Sequence, residues 1–276
     1  TAPQRGDKAR LIEMALINAR QLFVDREKKA QSWEALAGSL MESLRLARPP
    51  HAIECLDISN LGGKQAVGSL VRFEYGEAQR AGYRHYRIRT KETPDDYAMM
   101  AEVLTSRFAR GQQEGGLPDL LLLDGGRGQL SVAVQALAEA NLAEPPDLAA
   151  IAKERETEGE KLFRPGRKNP ILLPRHSPAL LYLMRIRDEA HRYGITFHKK
   201  LRTKATLTSA LDAIPGVGPA KKKALLSHFG SLRALIAATP SELAQVAGIG
   251  PSLASIIHRS LHSAGSSDRQ GSAAAD

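Results

Sequence analysis

The 276 residues carry 39 Lys and Arg against 30 Asp and Glu, for a formal charge of +9 and a pI near 9.7. That length favours two domains over one, and the charge points to a polyanionic partner, nucleic acid first. The single cysteine, Cys55, excludes a disulfide framework and a Cys-based zinc site, and no apolar run approaches the roughly 18 residues that cross a bilayer, so a soluble protein of a reducing cytoplasm is expected. The chain opens on Thr1, which reads as a piece cut from a longer protein.

Residues 7–47 place Leu11, Met14, Ala15, Ile17 and Leu22 at helical spacing, and Pro49-Pro50 ends the pattern, so 1–50 is read as a leading helical segment. Three β-like runs follow at 52–58, 66–75 and 82–90, separated by Gly-containing connections that suggest an antiparallel meander. Pro94-Asp95-Asp96 then supplies a helix start with acids in its first turn, and apolar periodicity continues to about Phe108. The run Asp119–Asp124 (DLLLLD) is apolar enough for a strand buried on both faces, and a Gly-rich turn and a helix over 127–141 come after it. Residues 148–153 read as another strand and 154–176 as a loop, before a long helix opens near Ser177-Pro178 and lasts to about Lys200. The order β-β-β-α-β-α-β-α predicts one α/β domain over 51–204, a mixed sheet with helices on both sides.

The remaining residues change character. Helical patterning over 205–262 contains a repeat, in which Ile214-Pro-Gly-Val-Gly-Pro219 recurs as Val246-Ala-Gly-Ile-Gly-Pro251, an offset of 32. Two similar helical hairpins are implied, and 263–276, rich in Ser, Ala and Gly, is expected to be a disordered tail.

Two aspartates stand where the chain leaves the sheet. Asp57 ends the first β-like run and Asp124 ends the buried one; if these strands are parallel neighbours, both carboxylates project from one sheet edge, where α/β sheets bind ligands. Hard oxygen donors in that place suit Mg²⁺ or Mn²⁺, which keep waters and bridge to phosphate oxygens. An aspartate at a strand end also commonly caps the turn that follows it, and each of the two taken alone admits that reading. Asp95 and Asp96 are first of all cap and dipole residues, with Asp96 kept as an auxiliary catalytic candidate. His191, in RIRDEAHR, could ligate the metal or relay a proton, with His198 as its competitor. Five basic residues lie between 192 and 204, and Arg187, Arg192, Lys199 and Lys200 are assigned to DNA phosphates.

Gly125-Gly126-Arg127-Gly128 resembles a phosphate loop only weakly, since no Gly-Lys-Ser/Thr ending exists and the spacing is not G-x-G-x-x-G. The repeated hairpins carry the stronger phosphate signal. Gly216 and Gly218, and again Gly248 and Gly250, let the backbone approach a DNA phosphate beside a helix N-terminus without reading sequence. Lys221, Lys222 and Lys223 add charge to the first hairpin, which should bind more tightly than the second.

Together ECLDIS (54–59), PDDY (94–97), LDGGRGQ (123–129), RIRDEAHR (185–192) and ITFH (195–198) resemble the C-terminal half of the UvrC family, the nuclease subunit of bacterial nucleotide excision repair. The resemblance runs from Pro3 to about Leu261. It implies an RNase H-like endonuclease domain with Asp57, Asp124 and His191 as the catalytic set, then a tandem helix-hairpin-helix domain. It also implies the incision on the 5′ side of a lesion in double-stranded DNA, after UvrA and UvrB have located the damage, and it leaves one-metal and two-metal mechanisms open. No GIY-YIG nuclease domain, Cys-rich segment or UvrB-binding motif is visible, so this piece alone is not expected to make both incisions. The rival reading is a DNA-binding scaffold whose acids are structural.

Overall fold

The structure is a computed structural model that describes residues 7–61, 65–88, 95–153, 159–212, 214–230 and 232–267. The chain divides into two compact units, Thr1–Ile195 and Thr196–Asp276.

In the first unit, helix α1 (Asp7–Leu44) precedes strands β1 (Ala52–Leu61), β2 (Gln65–Glu74), β3 (Glu77–Ala78) and β4 (Arg84–Arg87). Helix α2 (Asp96–Glu114), β5 (Leu120–Asp124), α3 (Arg127–Ala140), β6 (Asp147–Lys153) and β7 (Glu160–Phe163) follow, and then α4 begins (Pro178–Asp212). The seven strands form one mixed sheet in the order β3-β2-β1-β5-β6-β7, with β4 also on β2. The β1–β5 and β5–β6 pairs are parallel; the remaining pairs are antiparallel.

Strand alternation divides the sheet into two apolar faces. Ile53, Cys55, Val71, Phe73, Leu120, Leu122, Ala149 and Ile151 turn toward α1 and α4, where they meet Trp33, Leu40, Leu44, Leu183, Ile186 and Ala190. Leu56, Leu70, Leu121, Leu123, Leu148 and Ala150 turn toward α2 and α3, onto Met100, Leu104, Phe108, Leu130 and Ala133. The two-faced burial explains the unbroken run of leucines in β5.

The structure differs from the sequence reading in two places. The segment read as a loop contains β7, which pairs with β6, and Leu162 bridges to Ile171. Its Glu160 and Lys161 hid it, because the burial of Glu160 depends on a distant arginine. Helix α4 runs to Asp212 rather than stopping near Lys200, with Pro215 as the first proline after Pro178. The expected third strand is described over Arg84–Arg87, and the far end of its predicted span, with Pro94, lies outside the described residues.

The second unit holds α5 (Pro219–Phe229), α6 (Leu232–Ala237), α7 (Pro240–Leu243) and α8 (Pro251–Ser267) around Ile214, Val217, Leu225, Leu235, Leu243, Val246, Ile249 and Ile257. Of the expected tail, 263–267 belong to α8 and 268–276 lie outside the described residues. The sequence repeat is a structural one. Val217 N–H donates to Ile214 and Lys222 N–H to Gly218, and 32 residues on Ile249 donates to Val246 and Ala254 to Gly250. Gly216 and Gly248 both adopt φ values that favour glycine, +88° and +82°.

Candidate metal centre

Register brings the two aspartates together. Leu56 stands beside Leu123 in the parallel β1–β5 pair, so the next residues, Asp57 and Asp124, emerge at the same level. Both continue the alternation of Ile53, Cys55, Leu120 and Leu122 and therefore face α4, not α2. Helix α4 supplies the third member. Ligand atoms of Asp57, Asp124 and His191 all lie within 4.8 Å of one another, the one such group of three among the described residues. His191 Nδ1 is 3.7 Å from Asp57 Oδ2, too long for a hydrogen bond but close enough for both to reach one ion.

The cluster is negative and half sheltered. Asp57 is buried, Asp124 is partly buried and His191 is exposed. Burial first, and the Asp57 carboxylate second, push the Asp124 carboxyl up to about 6. Arg187 is near enough to oppose that shift but is committed elsewhere, with ion pairs of 2.6 Å to Glu160 and 2.8 Å to Asp188. Two adjoining carboxylates without a cation of their own, beside an imidazole, form a donor set that fits a hard divalent ion.

Three further residues shape the site. Ser59, on the same face of β1, donates its hydroxyl to Asp57 Oδ2 at 2.5 Å and fixes that carboxylate. A Cβ at Gly194 would stand 3.0 Å from Ser69 Oγ, 3.1 Å from Asp57 Oδ2 and 3.3 Å from Ser59 Oγ, so any larger residue would press on these side chains where the α4 backbone crosses the strands. Ser69, opposite Asp57 on β2, is fully buried, and its hydroxyl has no partner among the described residues. The sequence reading missed all three, although the two-residue spacing from Asp57 to Ser59 was a usable sign.

Asp96 lies outside the cluster. Asp95 caps α2 by accepting from the Tyr97 and Ala98 amides, and exposed Asp96 lines a cleft of about 400 Å³ with Tyr97, Gly126, Gly128 and Gln129. That cleft opens beside the turn that follows Asp124. The turn is not an open phosphate cradle: Gly125 N–H donates to Ile151 and Gly126 N–H to Gln129 Oε1.

Among the residues assigned to phosphate, Arg187 is buried in its ion pairs, and exposed Arg192 is bonded to Glu189 at 2.7 and 2.8 Å. Lys199 is exposed, and the Lys200 side chain lies outside the described residues. His198, the competitor of His191, is buried and not a member of the cluster. In the hairpins, Lys221 Nζ donates to the Gly216 carbonyl, Lys222 pairs with Asp212, and Lys223 is exposed. The hairpins contact each other reciprocally: a Cβ on Gly248 would meet Lys221, and one on Gly216 would meet Leu253, its counterpart 32 residues later.

The mixed sheet flanked by helices, followed by tandem helical hairpins, defines the class by architecture, an RNase H-like domain joined to a helix-hairpin-helix unit. The model of the UvrC RNase H endonuclease domain matches residues 41–195, and that of the SAM-like helix-hairpin-helix tandem matches 208–263. The chain belongs to the UvrC family. It is 58% identical to "UvrABC system protein C" of Desulfotalea psychrophila over 94% of this chain and 43% of that protein. To the protein of that name in Geobacter metallireducens it is 47% identical, over 94% of this chain and 44% of the relative. The chain thus spans less than half the length of these curated relatives. Among solved structures, an endonuclease V from Bacillus subtilis is similar at 15% identity and a TM-score of 0.33, over 62% of this chain and 94% of that one; the assignment rests on the sequence matches. Among the described residues, no helix is long and apolar enough to cross a membrane.

Proposed function

We propose that the chain is a divalent-metal-dependent DNA endonuclease that makes the 5′ incision beside a lesion in bacterial nucleotide excision repair. The observation that carries this reading is the convergence of Asp57, Asp124 and His191 within 4.8 Å, in a chain of the UvrC family. Asp57 and Asp124 would hold the ion and His191 would complete the set or carry a proton, while Ser59 keeps Asp57 in one orientation. Bound Mg²⁺ or Mn²⁺ would supply Lewis-acid activation of a phosphoryl oxygen and a water of lowered pKa. Asp96 is kept as an auxiliary acid, a reading supported by its exposure in the cleft it lines and not by the cluster.

The hairpins hold the duplex. Gly216, Gly218, Gly248 and Gly250 bring backbone amides to phosphates, and Lys221, Lys222 and Lys223 strengthen the first of the two contacts. Arg192, Lys199 and Lys200 extend the basic surface, whereas Arg187 acts through the field it exerts on Asp124. Functional boundaries are proposed at 51–204 for the nuclease and 205–262 for the hairpins, with damaged duplex DNA as substrate in the cytoplasm. UvrB, after UvrA, is the partner that recruits the whole protein.

The test is nicking of supercoiled DNA with Mg²⁺ or Mn²⁺, beside duplex binding and Mn²⁺ titration. Asp57→Ala, Asp124→Ala and His191→Ala should each lose at least about 10²-fold in nicking while duplex binding persists, in line with the loss of a metal ligand. Unchanged nicking and Mn²⁺ affinity in the two aspartate variants would leave the scaffold reading in its place.

A further inference from the structure

The opposite face of the sheet carries a second charged concavity that the nuclease reading does not use. A cavity of about 200 Å³ is lined by Glu54, Leu70, Arg72, Gly82, Arg84, Tyr86, Arg107, Arg110, Glu114, Gly115 and Gly116. Glu54 and Leu70 alternate with Cys55 and Val71, so the cavity belongs to the α2 face, whereas Asp57 faces α4. Glu54 precedes Asp57 by three residues, roughly 10 Å along the strand. The two places are distinct.

The lining holds four guanidinium groups and two carboxylates. Glu54 is buried and fully engaged: Arg107 grips it through Nε and Nη2 at 2.8 Å each, and Arg72 Nη1 adds a bond of 2.9 Å. Arg72 and Arg107 also converge on the Gly116 carbonyl, both at 2.8 Å, which fixes the wall of the cavity. Arg110 is bonded to Glu114 in an exposed pair, a weak compensation. Arg84 bonds only to the Ala81 and Tyr83 carbonyls, so no acid neutralises it among the described residues. Inside the same wall the Tyr86 hydroxyl is enclosed and has no partner among the described residues. Burial raises its pKa, so the phenol stays protonated and remains a donor. That hydroxyl is closed to the cavity, so the groups a ligand can reach are the arginines.

We propose that this cavity is an oxyanion site that takes a phosphate group, with Arg84 and Arg110 as its donors. Guanidinium forks suit the tetrahedral oxyanion, and the rigid Glu54–Arg72–Arg107 network keeps the cavity open without consuming those donors. The phosphate group comes from the DNA backbone or from free phosphate. The DNA arm of the test rests on the nuclease reading; the phosphate arm does not.

The variants are Arg84→Gln with Arg110→Gln and, separately, Arg110→Gln alone, each made in the whole chain. Melting temperature is followed as chloride is replaced by inorganic phosphate at constant ionic strength, and duplex affinity is followed against salt in EDTA. The double variant should lose most of the phosphate-dependent rise in Tm, and its salt slope should fall by about 1 if the group is a backbone phosphate. A lost Tm response with an unchanged slope assigns the site to free phosphate. Unchanged Tm response and slope overturn the proposal. Should the double variant melt early in chloride alone, Arg110→Gln, at an exposed position, carries the same test: a weakened phosphate response or slope supports the site, and an unchanged pair overturns it.

Discussion

Two acids three residues apart on β1 meet opposite environments. Glu54 faces α2 and is bound by two arginines, Arg72 and Arg107, so its charge is balanced by the fold. Asp57 faces α4 and is met by a second carboxylate, an imidazole and the hydroxyl of Ser59. Both are buried, to 2% and 5% exposure, so depth does not distinguish them. The difference lies in compensation: the charge of Glu54 is answered by the fold, whereas the adjoining acids Asp57 and Asp124 have no such cation, which is what the proposed metal site requires.

The sharpest way to break this contrast is to neutralise one acid of each kind. Glu54→Gln should destabilise the first unit by about 3–5 kcal/mol, because buried Arg107 is left with uncompensated charge, whereas Arg72 keeps Glu74 at 2.7 Å. Asp124→Asn should instead stabilise the metal-free protein by about 1–3 kcal/mol at neutral pH, since it removes a carboxylate whose ionised form the fold disfavours. Urea unfolding in EDTA measures both; a loss of stability in each would erase the distinction.

The same contrast has a pH signature. A carboxyl raised from 3.8 to about 6 binds its proton more tightly in the folded state than in the unfolded one. The associated stability is therefore present at low pH and is lost as pH rises through about 6, by about 1–3 kcal/mol from this group. Comparison of wild type with Asp124→Asn between pH 4.5 and 7.5 isolates it, and Mn²⁺ should restore stability at the upper end. A difference independent of pH would mean that Asp124 is not held against its charge.

The smallest expected effect is at Gly194. Gly194→Ala gains up to about 1 kcal/mol of helix propensity but forces atoms at 3.0–3.3 Å to give way, so stability should change by less than about 1 kcal/mol. Mn²⁺ affinity should fall by about tenfold, because the atoms that must move include Asp57 Oδ2 and its Ser59 partner. Equal Mn²⁺ affinity in the variant would show that the approach of α4 does not set the site.

The sequence made the Asp57 side of this comparison legible and hid the Glu54 side. Asp57 and Asp124 close apolar runs, a local signal, but the parallel pairing that unites them stood only as a condition, because three strands and α2 separate β1 from β5 in the chain. His191 was reachable because it lies on the last long helix of the domain. Glu54 sits inside a recognisable motif, but its meaning depends on Arg107, 53 residues away. Arg187 shows the converse: a basic residue beside His191 suggests phosphate, yet Glu160, from a strand hidden in a charged segment, takes its guanidinium into the interior. Pattern reveals which residues share a face; it does not reveal which charge another element has already answered.

The low seat of α4 over β1 has one more consequence. His191, the proposed third ligand, rides on a helix whose backbone passes Ser69, Asp57 and Ser59 with space for a hydrogen but not comfortably for a methyl group. Loading the ion should therefore quieten a whole helical turn rather than one imidazole. The amides around His191 to Gly194 become natural reporters of occupancy, exchanging with solvent more slowly as the site fills.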